Sequence, residues 1–79
     1  MLKLNILNMR EFLRTVNACK GRVWLLRPDG GRVDLRGQYT AQLELRERFR
    51  ENRNFLPVVL TVPDPGDYMR VVSYYIGDC

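Results

Sequence analysis

At the start of the chain apolar and polar side chains alternate: "LKLNIL" sets Leu2, Leu4 and Ile6 against Lys3 and Asn5, the period-2 signature of a strand with one wet face. The period then changes. In "NMREFLRTVNACKG" Met9, Phe12, Leu13 and Val16 recur at helical spacing, so one stripe is apolar. Asn8 can accept from the free amides of the first turn and Glu11 can reach back, a capping-box spacing with Asn in place of Ser or Thr. Gly21 suits a left-handed stop after Lys20. The pattern predicts a helix over Met9 to Lys20.

"RVWLLRPDGGRVDLRG" reads as a hairpin, because two β-rich runs flank the turn residues Pro28, Asp29, Gly30 and Gly31. Val33 and Leu35 are expected to point inward, and Arg32, Asp34 and Arg36 outward. A polar helix is predicted from about Tyr39 to Asn52, with Ala41, Leu45 and Phe49 as its stripe and Glu44 to Arg48 as a favourable i,i+4 pair. "FLPVVLTV" is a strand in which Pro57 lacks a donor, favouring an edge position or the strand's beginning. In "DPGDYMRVVSYYIGD" Asp64 reads as a cap, Pro65 as the first helical residue and Asp67 as a first-turn acid. Tyr68, Val72, Tyr75 and Ile76 are expected on one face, and Gly77 can end the helix.

The resulting order is β-α-β-β-α-β-α. Amphipathic strands and one-faced helices predict an α+β fold, a two-layer open-faced β-sandwich with mainly antiparallel pairing, one face covered by helices and the other wet. Seventy-nine residues allow a single domain, residues 1–79. No apolar run approaches the roughly 20 residues of a membrane span, and no basic region precedes an apolar signal core. The expectation is a soluble, cytoplasmic chain with no membrane partner. Cys19 and Cys79, the two cysteines, do not make a disulfide framework or a zinc site, and no cofactor or metal is expected.

Element order and several stretches together resemble the HPr-like family, the phosphocarrier proteins of the sugar phosphotransferase system. The stretches are "ACKG" leading from the first helix into a strand, the turn at "PDGG", "RVDLRG" entering the second helix, and "PVVLTV" before the last. The resemblance covers nearly the whole chain. It implies that the first strand-to-helix corner carries a histidine that takes phosphate, followed by an Arg and a Pro. Counting back from Lys20 and Gly21, Asn8 stands at the histidine, Arg10 at the arginine and Glu11 at the proline. The chain contains no His, and the delocalised amide nitrogen of Asn is not a phosphoryl acceptor. The family's regulatory serine falls on Gly37, with Tyr39 and Thr40 the nearest hydroxyls. The resemblance therefore implies a scaffold without phosphotransfer, and no enzyme is expected.

Charge adds a second line. Thirteen basic residues against nine acidic give +4, unevenly spread: residues 1–53 carry +6 and residues 54–79 carry −2. Two functions follow as alternatives. One, implied by the resemblance because carriers of that family dock through their first two helices, is a regulatory or docking module that binds a protein partner around Met9, Arg10 and the Gly37 to Leu43 region. The other is nucleic-acid binding by the open sheet face, where Trp24, Arg32, Arg36 and Lys3 would form a cationic stacking platform. A homodimer through that face is compatible with either.

Overall fold

The computed structural model describes residues 1–77; Cys79 lies outside the described residues. The alternation at the N-terminus becomes strand β1 (Leu2–Ile6), with Leu4 and Ile6 buried and Lys3 and Asn5 exposed. The chain turns at Asn8 into helix α1 (Met9–Ala18). Strands β2 (Trp24–Leu26) and β3 (Arg32–Asp34) form the hairpin. Helix α2 (Tyr39–Glu51), strand β4 (Leu56–Thr61) and helix α3 (Pro65–Gly77) complete the order.

The four strands form one sheet in the order β1-β4-β2-β3, with every neighbouring pair antiparallel. Strand β4 is therefore central, although it contains Pro57. The proline is tolerated because it stands near the start of β4, opposite Asn5 of β1, whereas β2 pairs only with Leu60 and Thr61. Of the two positions expected for Pro57, the beginning of a strand is correct and the sheet edge is not. The hairpin closes as its sequence dictates. Gly30 N–H donates to the Arg27 carbonyl at 3.0 Å, Arg27 N–H donates to Gly31 at 2.7 Å, and Gly30 sits at φ 91°, where a side chain would strain the backbone.

Burial on the sheet is one-sided. Leu4, Ile6, Leu25, Val58 and Leu60 enter the core, joined by Phe12, Leu13 and Val16 of α1, Leu45 of α2 and Val71 and Tyr74 of α3. Each such side chain contributes about 1.5–3 kcal/mol by leaving water. Ala41 and Phe49 flank Leu45 as expected, partly buried against the core. The expected Glu44 to Arg48 pair is not made; among the described residues the ion pair within 4 Å is Glu11 with Arg14, at 3.6 Å.

Three local expectations change. Helix α1 ends at Ala18 rather than Lys20, and Cys19 is extended (φ −69°, ψ 149°). Gly21 is not the left-handed stop, since the positive-φ glycines are Gly30 and Gly37. The amides freed by this early exit are taken instead by Asp67 of α3: Lys20 N–H donates to Oδ1 at 2.9 Å and Gly21 N–H to Oδ2 at 2.7 Å. That anchoring also turns α3. Its buried residues are Asp67, Val71 and Tyr74, one position off the expected stripe, so Tyr68 is exposed, Ile76 is 80% exposed and Val72 is half-buried. Tyr75 alone of that set packs against the core, and the Asn5 amide donates to its hydroxyl at 3.4 Å. Asp64 does cap α3, accepting from the Asp67 amide at 2.9 Å.

Candidate functional site

The corner between β1 and α1 is built as a cap. Glu11 N–H donates to Asn8 Oδ1 at 3.2 Å, satisfying a first-turn amide. The Asn8 carbonyl accepts from Phe12 N–H at 3.0 Å and from the Tyr74 hydroxyl at 3.0 Å. The Phe12 and Tyr74 rings also meet, with centroids 5.9 Å apart, so α3 braces this corner. Only half of the capping box forms, because the Glu11 carboxylate turns to Arg14. Arg10 is exposed beside the cap. Met9 is only 4% exposed: it belongs to the core as the first apolar residue of the α1 stripe, which removes it from the expected partner contacts.

A second feature lies where the end of α1 meets the start of α2. Asn17 and Gln42 pair through their amides: Gln42 Nε2 donates to Asn17 Oδ1 at 2.7 Å, and Asn17 Nδ2 donates to Gln42 Oε1 at 3.2 Å. Gln42 Nε2 also donates to the Leu35 carbonyl at 2.6 Å, and Gly37 N–H donates to Asn17 Oδ1 at 3.2 Å. One side-chain pair thus fixes three segments. The sequence signal was weak but present, since Gln42 precedes Leu45 by one helical turn and so borders the apolar stripe.

Gly37 stands at φ 71°, with open space where a Cβ would project. Gly37 is therefore left-handed backbone two residues before α2. Around it an open depression of about 560 Å³ is lined by Asn17, Arg36, Gly37, Tyr39 and Gln42. A neighbouring one of about 220 Å³ is lined by Tyr39, Gln42, Leu43 and Arg46. Tyr39 (77% exposed) and Leu43 (43% exposed) stand out of this surface, beside the part-buried Asn17–Gln42 pair.

Arg36 lines that depression, so it leaves the set expected on the open sheet face. Strand β3 ends at Asp34, and Asp34 Oδ1 accepts from both the Val23 and the Arg36 amides, at 3.1 and 3.0 Å. The chain bends there toward α2. Lys3, Trp24 and Arg32 remain on the outer face together. The Arg32 guanidinium lies 4.5 Å from the Trp24 ring centroid, and that of Arg22 lies 5.3 Å away. The residues alone did not place Arg22 here, although its even spacing from Trp24 along the strand direction carried that information.

Cys19 is buried, and its thiol donates to the Thr15 carbonyl at 3.4 Å. Burial pushes the thiol upward, and the charge of Asp67 adds to it, so the thiolate is disfavoured. Asp67 shifts the other way: the Lys20 and Gly21 amides hold its carboxyl below the usual range, against the opposing effect of burial. Among the described residues no three His, Cys, Asp or Glu side chains are grouped to hold a metal ion, and no helix is long and apolar enough to cross a membrane. Comparison with models of known protein families, with curated proteins and with solved structures gives no match for this chain.

Proposed function

We propose that the chain is a docking module on an HPr-like scaffold that does not carry phosphate, and that it binds a cytoplasmic protein through the solvent face of α2. The observation carrying this reading is the exposure of Tyr39 and Leu43 beside the part-buried Asn17–Gln42 pair, between Arg36 and Arg46. Exposed aromatic and aliphatic side chains held on a rigid helix, with arginines at the rim, have the composition of interface anchors. The partner surface they fit is an apolar side chain flanked by carboxylates. Asn8 in place of a histidine supports binding without phosphoryl transfer.

The immobilised chain, presented with nuclease-treated cytosolic extract at moderate salt, tests the reading. Defined proteins retained by the native chain and by a Trp24→Ala variant, but lost with Leu43→Glu, are the expected result. Retention that ignores Leu43→Glu overturns it.

A further inference from the structure

The outer face of the sheet carries a different feature from the α2 surface. In register, Lys3 of β1 faces Val59 of β4, and Leu26 of β2 faces Arg32 of β3. Carrying the β2–β4 register one residue past the Leu25–Leu60 pair brings Val59 level with Leu26. One row across all four strands therefore reads cation, apolar, apolar, cation, spanning roughly 14 Å at the usual strand spacing. The adjacent row holds Thr61, Trp24 and Asp34, and Arg22 and Arg32 lie over the indole.

Charge decides what this face can meet. Lys3, Arg22 and Arg32 are exposed and are not in ion pairs among the described residues. The acid on the same face, Asp34, is engaged by two backbone amides. A second copy placed face to face would set these cations against themselves, because a two-fold interface repeats the same patch on both sides. A polyanion is complementary. Among polyanions, single-stranded nucleic acid also uses what lies between the cations: indole and guanidinium planes stack on bases, and Leu26 and Val59 form an apolar floor. A chain of Asp and Glu offers its charge to the cations but no aromatic plane to stack on the indole.

We infer that the outer sheet face binds single-stranded nucleic acid, with phosphates at Lys3, Arg22 and Arg32 and a base on the Arg32–Trp24 stack. Trp24 is the chain's one tryptophan, so its fluorescence reports the site directly. The 79-residue chain is titrated with a single-stranded oligouridylate, with the same length of duplex, and with polyglutamate, over a range of salt. Expected are quenching by the single strand in preference to both competitors and a slope of log K on log salt of about −2, for three phosphate contacts. Trp24→Ala, followed by a labelled oligonucleotide, should weaken binding about tenfold. Arg32→Ala should flatten the slope by about 0.7, and Lys3→Glu with Arg22→Glu should abolish binding while circular dichroism stays native. Equal binding of polyglutamate, indifference to these substitutions, or no quenching at low salt overturns the proposal.

Discussion

The carboxylate of Asp67 holds the backbone of Gly21 across 46 residues of chain, accepting its amide at 2.7 Å. The second oxygen takes the Lys20 amide, so the exit of α1 is closed by the first turn of α3 rather than by a glycine in left-handed geometry. Closure of this kind depends on the carboxyl being ionised. Its folded-state pKa is lowered by those two amides, so the stability it contributes is fully present above the unfolded aspartate value, about 3.9. That stability is lost as pH falls through the lower folded value. Thermal melts between pH 7 and pH 2 should show a decline below about pH 4 that is shallower in Asp67→Asn, which should itself melt several degrees lower than the native chain at pH 7.

The Asn17–Gln42 pair makes a similar prediction with a neutral network. Replacing Gln42 by Leu removes its bonds to Asn17 and to the Leu35 carbonyl but leaves Asn17 Oδ1 the Gly37 amide and the Leu35 carbonyl the Gln38 amide, at a cost of about 0.5–1.5 kcal/mol for each bond lost. Because both truncations remove the two bonds the side chains share, the losses in Asn17→Ala and Gln42→Ala should not add fully. A double-mutant cycle from urea melts should give a coupling of about 0.5–3 kcal/mol; a coupling near zero would mean that the two amides act independently.

Much of the fold is legible in the sequence because each element carries its own period. Leu2, Leu4 and Ile6 alternate, Met9, Phe12, Leu13 and Val16 share one stripe, and Pro28 to Gly31 can do little but turn. What stays hidden depends on contacts between distant segments. Asp67 reads as an ordinary first-turn acid, yet its partners are at Lys20 and Gly21, and that contact rotates α3 so that Val71 and Tyr74 replace Val72 and Ile76 inside. Arg36 continues the strand alternation on paper, but Asp34 ends the strand by capturing the next turn's amide. The central place of β4 was likewise beyond the pattern, since Pro57 alone favours an edge as readily as a strand's start.

Gly37 isolates a backbone effect. A Cβ there would meet nothing within 4 Å, while φ is 71°, so Gly37→Ser should cost about 1–2 kcal/mol through backbone strain alone. Chemical denaturation measures this directly. A neutral result would mean that the serine's hydroxyl offsets the strain with a new bond at the start of α2.

Cys19 is 4% exposed, and its thiol is shifted upward by burial and by Asp67. In a Cys79→Ser chain, which leaves Cys19 as the sole thiol, reaction with a disulfide reagent at pH 8 should therefore be far slower than in urea. The native rate should follow global unfolding as denaturant is raised. Fast native labelling would mean that the end of α1 opens locally.

Met9 and Leu43 separate folding from docking, because one lies inside and the other outside. Met9→Ala removes a buried side chain from the start of the α1 stripe and should cost about 2–5 kcal/mol, a large part of the total stability of so small a domain. Leu43→Glu changes an exposed position on α2 and should leave stability within about 0.5 kcal/mol. If the α2 surface is the docking site, the two variants part in opposite directions. At a temperature where Met9→Ala still folds, it should retain partner binding while melting early, and Leu43→Glu should melt like the native chain and bind nothing. Binding lost in the folded Met9→Ala chain and kept in Leu43→Glu would move the docking surface from α2 to the β1–α1 corner beside Arg10.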